Sequence, residues 1–106
     1  MIHELRTYHA APGKRDALFE RFKTTTLPLF ARHGFTVTGF WESRADSGVF
    51  VYLCAFDDDA ARERAWNAFN TDPAWLTAKM ESEADGPLST SITTLVLDPV
   101  TAIATQ

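Results

Sequence analysis

The chain has 106 residues, 45% of them hydrophobic and 23% charged, and its formal net charge is −4. This length fits one domain, and an acidic balance without a basic stripe argues against a nucleic-acid partner. We expect the domain to span residues 1–99, with a tail over residues 100–106. A single cysteine, no signal-peptide pattern and no apolar run of roughly 18 residues lead us to expect a cytoplasmic protein without a membrane segment.

The amino-terminal part predicts a strand followed by an interrupted helix. Residues 2–8 alternate in polarity, which is typical of a strand. From residue 14 to residue 30 the apolar side chains recur with helical spacing. Pro28 lies inside this run and should kink or split the helix, because proline lacks the backbone donor. Gly34 then marks the end of the helical part.

The remaining residues predict a hairpin, a second helical part and a last strand. Residues 35–42 and 49–56 flank a turn rich in serine, aspartate and glycine. Asp57-Asp58-Asp59 supplies carboxylates for a helix start, and Asp72-Pro73 restarts the helix with a cap residue before proline. Residues 92–97 form the fourth strand. The predicted order is β-α-β-β-α-β, an α+β ferredoxin-like fold with a four-stranded antiparallel sheet and helices on one face.

The third strand predicts a homodimer, because both of its faces are apolar. Two helices cover only one face of a sheet, and soluble monomers avoid a large exposed apolar patch. We assign the larger and more polar side chains of Phe50, Tyr52 and Cys54 to the space between two sheets packed about a two-fold axis. The alternative, a tail folded over the sheet, offers only seven residues as cover.

Glu4, Arg6 and Tyr8 are the sharpest functional candidates, since residues two apart on a strand share a face. Two opposite charges that are partly removed from water must form an ion pair with each other or with a ligand. The functional interpretation is a carboxylate acid or base beside a cation that binds an anionic oxygen, with Tyr8 as hydrogen-bond donor. The alternatives are a buried ion pair that fixes register, a solvated rim pair, and a strand-edge aromatic at Tyr8.

Other residues add candidates for a pocket but no cofactor site. Trp41, Tyr52 and Trp75 are expected to shape a ligand pocket, although tryptophans on helices are most often core residues. His3, His9 and His33 lack metal-ligand spacing, so we expect no metal and no cofactor. Phosphate loops, dinucleotide fingerprints and nucleophile elbows do not occur in this sequence.

Several segments in order resemble the NIPSNAP family over about residues 1–98. They are Glu4-Leu5-Arg6-Thr7-Tyr8, Pro12-Gly13-Lys14, Gly39-Phe40-Trp41, Phe56-Asp57, Arg62-Glu63-Arg64 and Asp72-Pro73-Ala74-Trp75. The resemblance implies a dimeric α/β barrel, in which two ferredoxin-like subunits pack their sheets together. That superfamily includes cofactor-free monooxygenases, isomerases, dehalogenating and haem enzymes, and binding proteins, whereas the NIPSNAP branch has no settled activity. Tyr52 and Cys54 stand where relatives often carry histidine and tryptophan, which implies neither a haem nor a histidine base here.

Three functions remain open from the sequence. The first is a homodimeric small-molecule-binding or accessory protein with a cavity between sheet and helices. The second is a cofactor-independent monooxygenase-like or isomerase-like enzyme on a small aromatic or polyketide-like substrate. In that enzyme Glu4 would be the acid or base, Arg6 the oxyanion partner and Tyr8 the donor. The third is a purely structural dimer with a filled barrel.

Overall fold

Four strands form one antiparallel sheet in the computed structural model, which describes residues 1–100 and 102–103. The strands, in chain order, are β1 (Ile2–Ala10), β2 (Thr36–Glu42), β3 (Val49–Phe56) and β4 (Ser89–Leu97). They lie in the order β2-β3-β1-β4. The predicted ferredoxin-like topology is therefore confirmed. Most of the predicted tail, namely Thr101 and residues 104–106, lies outside the described residues.

The helices lie in the two segments for which the sequence predicted helical structure. They are α1 (Arg15–Arg21), a π-helical turn (Phe22–Thr26), α2 (Leu27–Arg32), α3 (Asp59–Asn70) and α4 (Pro73–Ser82). The π-helical turn is the form taken by the predicted break before Pro28, and in it the Leu27 N–H donates to the Phe22 carbonyl. A wider turn here relieves the clash that a proline ring makes with the carbonyl four residues earlier.

Aspartates cap α3 and α4 as predicted. The Asp58 carboxylate accepts from the Ala61 N–H, and that of Asp72 accepts from the Ala74 N–H, each at 2.8 Å. The Asp72 carboxylate also lies 2.6 Å from Nε2 of His33, the C-cap residue of α2. The cap therefore ties the end of α2 to the start of α4.

The helix-covered face of the sheet is the aromatic one, so our assignment of Phe50, Tyr52 and Cys54 to the space between two sheets was wrong. These three side chains are buried, and the Tyr52 ring packs against Phe22 and Phe30 of the helical layer. The reason is that the helices also contribute phenylalanines, and aromatic rings fill the layer in edge-to-face and stacked pairs.

The opposite face of the sheet, called here the open face, carries the smaller apolar side chains of β3. The backbone register aligns Leu5 of β1 with Leu53 on one side and Leu95 on the other. Leu95 is 58% exposed, and Leu97 and Trp41 on the same face are also exposed. Among the described residues nothing covers this apolar surface. Within the same residues, no helix has the length and hydrophobicity needed to cross a bilayer.

The ion pair between α1 and β2 predicts a pH-dependent stability. Arg15 donates to both carboxylate oxygens of Glu42 at 2.7 and 2.8 Å, and the Gly48 N–H donates at 3.0 Å. These hydrogen bonds, that of Arg15 first, lower the pKa of Glu42 from 4.5 to about 2. Because the pKa is depressed in the folded state, the stabilisation is complete above about pH 4.5 and is lost as the pH falls toward about 2.

We therefore expect Glu42→Gln to lower the melting temperature near neutral pH and to match the wild type near pH 2. Thermal unfolding measured across this pH range tests the expectation. Glu20→Gln is the control, because Glu20 is an exposed residue of α1 with no ion pair to a described residue. A difference between wild type and Glu42→Gln that stayed constant with pH would contradict the ion-pair explanation.

Candidate functional site

A groove opens beside β4, because the helices do not extend over this edge strand. Ile92, Thr94 and Val96 lie on the helix side of β4, in register with Tyr8, Arg6 and Glu4, yet all three remain exposed. The groove contains two adjoining cavities. The polar cavity, of about 580 Å³, is lined by Glu4, Arg6, Arg62, Glu63, Trp66, Asn67, Asn70 and Thr94. The aromatic cavity, of about 460 Å³, is lined by Arg6, Tyr8, Arg21, Phe22, Thr26, Trp66, Phe69, Asn70, Trp75, Lys79, Glu83, Pro87, Ser89 and Ile92.

Glu4 is the buried anchor of the groove, with only 1% of its surface exposed. Its Oε1 accepts from the Trp66 indole at 2.8 Å and from Arg62 at 3.3 Å, and its Oε2 accepts from Arg6 at 3.3 Å. Two cations and one neutral donor thus surround the carboxylate. Such an arrangement occupies the oxygens that a general base would need.

Arg6 lines both cavities and lies over the Trp66 ring, with Cζ 4.4 Å from the ring centroid. Nη1 also donates to the Thr94 hydroxyl at 3.1 Å, and Nη2 donates to the Tyr8 hydroxyl at 3.0 Å. Burial lowers the pKa of Arg6, but the neighbouring tyrosines and Glu4 outweigh it and hold that pKa above its ordinary value. Arg6 is therefore a permanent cation whose terminal nitrogens are already engaged.

Tyr8 lines the aromatic cavity, and its hydroxyl has two polar neighbours. The Tyr8 and Tyr52 hydroxyls lie 3.2 Å apart, and Tyr52 is fully buried with Tyr8 as its one partner among the described residues. Burial, first of several causes, raises the pKa of Tyr52 well above 10, so it keeps its proton. Donation from Tyr52 to Tyr8 avoids an unsatisfied buried donor. The Tyr8 oxygen then accepts from Tyr52 and Arg6, which leaves its own O–H for a ligand.

Arg21 and Thr26 form the far wall of the aromatic cavity, and sequence reasoning missed both. They are only 8% and 4% exposed, and with Glu4 they make up the buried polar residues of the described chain. Nη1 of Arg21 donates to Glu83 at 2.8 Å and to Ser82 at 3.1 Å. A signal existed in the sequence, because Arg21 follows the buried Leu18 by three residues and therefore lies on the apolar stripe of α1.

The other candidates are placed as follows. Trp75 lines the aromatic cavity, 4.7 Å from Phe69 between ring centroids. Trp41 lies on the open face with its indole over Gly39, outside this cavity, and its role in ligand binding stays a prediction. The tryptophan shares its face with Gly39, which has no side chain to displace the ring.

Burial raises the pKa of the Cys54 thiol to about 12, which keeps it protonated. No group of metal-binding side chains occurs among residues 1–100 and 102–103.

The strand order and the groove beside β4 define a ferredoxin-like α+β domain with a helix-side cavity. The sequence profile of the NIPSNAP family matches residues 3–102, and the chain belongs to this family. Curated protein sequences provide no match.

Solved structures with the same fold include NIPSNAP proteins of several bacteria. An uncharacterised NIPSNAP domain protein from Burkholderia xenovorans has a TM-score of 0.82 at 19% identity, covering 99% of this chain and all (100%) of that one. A NIPSNAP family protein of unknown function from Agrobacterium tumefaciens has a TM-score of 0.79 at 21% identity, with coverages of 93% and 87%. A putative antibiotic biosynthesis monooxygenase from Nitrosomonas europaea has a TM-score of 0.68 at 14% identity, with coverages of 94% and 99%.

The geometry around Glu4 predicts a large stability loss in Glu4→Gln. The substitution leaves the Arg6 charge without its buried partner, which costs about 3 kcal/mol of unfolding free energy in comparable pairs. Urea denaturation measures this loss. Glu63→Gln is the matched control, because Glu63 is an exposed carboxylate on the same cavity without an ion pair to a described residue. Equal stabilities of the two variants would contradict an anchoring role for Glu4.

Proposed function

We propose that the protein is a homodimer that binds a small, largely apolar molecule in the aromatic cavity of each subunit. The observation that carries the proposal is the make-up of this cavity. Its volume of about 460 Å³ lies within the range of ligand pockets, and its walls combine aromatic rings with a few polar groups. The Tyr8 hydroxyl supplies a donor that orients the bound molecule.

The open face supports the homodimeric part of the proposal. Leu5, Leu53 and Leu95 form one cross-strand row, and no described residue packs over it. A second copy related by a two-fold axis offers the same apolar rows for burial. Because the aromatic cavity lies on the other side of the sheet, the two surfaces do not compete for the same residues.

A cofactor-independent enzyme is the second candidate, and the free Tyr8 O–H favours it. This donor next to the Arg6 cation suits a substrate carbonyl or enolate oxygen. The fold shared with the putative monooxygenase from Nitrosomonas europaea is compatible with this function. Glu4 would then hold Arg6 in place, since its oxygens are engaged by Trp66, Arg62 and Arg6.

The homodimer predicts that a charge on the open face separates the subunits. In Leu95→Lys we expect sedimentation at the mass of one chain, whereas the wild type sediments at twice that mass, because a lysine ammonium is costly to bury between two apolar sheets. Leu76→Lys is the control, since Leu76 is similarly exposed but lies on α4. A wild type that sediments as a monomer at all concentrations would refute the homodimer.

The cavity assignment predicts different behaviour of two tryptophan variants. The neutral dye N-phenyl-1-naphthylamine should fluoresce on binding the wild type, and Trp75→Ala should weaken its binding about tenfold because the variant loses one aromatic wall. Fluorescence titration measures both affinities. Trp41→Ala removes an indole from the open face and should leave binding unchanged. Loss of binding in Trp41→Ala alone would place the ligand between the sheets instead.

A further inference from the structure

The far wall of the aromatic cavity holds hydrogen-bonding groups that have no partner among the described residues. Nη1 of Arg21 makes both hydrogen bonds of that guanidinium, while Nε and Nη2 make none with a described residue. The Thr26 hydroxyl likewise has no described partner. None of these atoms is sealed from its surroundings, and both residues line the aromatic cavity. Their free donors are therefore available to a molecule bound in this cavity.

The charges on this wall favour an anion. The aromatic cavity is lined by the cations Arg6, Arg21 and Lys79 and by one carboxylate, that of Glu83. Arg6 is committed to Glu4, whereas Arg21 and Lys79 share Glu83 at 2.8 and 3.8 Å. One unit of positive charge on this wall is therefore unbalanced, in a protein whose net charge is −4.

We propose that the ligand is an amphipathic organic anion, with a carboxylate at Arg21, Lys79 and Thr26 and an apolar body in the cavity. This inference rests on the binding function proposed above and adds the class of ligand. A guanidinium and a hydroxyl that line one cavity can both donate to the oxygens of a carboxylate. The rings of Phe22, Phe69 and Trp75 lie on the same cavity and suit an aromatic or alicyclic body.

Glu83 acts in this arrangement as an internal competitor of the ligand carboxylate. It occupies Nη1 of Arg21 and lies at the end of α4, where 23% of its side chain is exposed. Removing its charge frees both cations for the ligand. A purely structural role of the Arg21–Glu83 pair would give no gain in anion binding when Glu83 is neutralised.

The test is displacement of N-phenyl-1-naphthylamine by 2-naphthoate and by the neutral 2-naphthylmethanol, two competitors that share one ring system. Without a cationic subsite the alcohol would bind better, because the carboxylate loses more hydration on binding. We expect 2-naphthoate to displace the dye from the wild type at about tenfold lower concentration, the advantage of one charge-assisted hydrogen-bonded pair. Equal potency, or greater potency of the alcohol, overturns the inference.

Substitutions around the proposed carboxylate subsite test its position. Lys79→Gln and Thr26→Val should each reduce the naphthoate advantage several-fold, and Glu83→Gln should increase it. Lys23→Gln is the control, because this exposed lysine of the π-helical turn lines neither cavity. Dye binding, which needs only the apolar body, verifies that each variant is folded. A wild type that binds no dye refutes the cavity function itself, whereas dye binding without an anion preference refutes only the class of ligand.

Discussion

The burial of one carboxylate, that of Glu4, governs how the helical layer sits on the sheet. Removing a carboxylate from water costs several kcal/mol, and the cost is recovered only when donors replace the lost hydration. Here the donors come from β1 itself, through Arg6, and from α3, through Trp66 and Arg62. Helix α3 is thereby tied to β1 by these hydrogen bonds and leaves β4 without cover, which opens the groove beside β4.

The order of elements could be predicted because the signals for it are local. Capping at Asp58 and Asp72 and the break at Pro28 depend on neighbours within a few residues. The side of β3 that packs against the helices could not be predicted in the same way. Alternation separates Phe50 and Tyr52 from Val51 and the other smaller side chains, but when both sets are apolar nothing in the strand says which one meets the helices.

The candidate site likewise combines residues that local spacing predicts with residues whose positions depend on tertiary packing. Glu4, Arg6 and Tyr8 share a face because they are two residues apart, and the structure links them by hydrogen bonds. Thr26 lies at the end of a π-helical turn, in which each turn contains more residues than in an α-helix. A prediction that assumes 3.6 residues per turn therefore misplaces the side chains after this turn. The direction of the Thr26 side chain depends instead on the packing around Pro28. Arg21 was recognisable by its place on an apolar stripe, although its partner Glu83 lies 62 residues away.

Strand β4 contributes to both surfaces of the sheet. Ile92 bounds the aromatic cavity on one side of the strand, while Leu95 and Leu97 lie on the open face. In the proposed homodimer, the second subunit would restrain the same backbone that forms the cavity wall. A coupling of ligand binding to subunit association through this strand would be reciprocal, so that each would change the equilibrium constant of the other by the same factor.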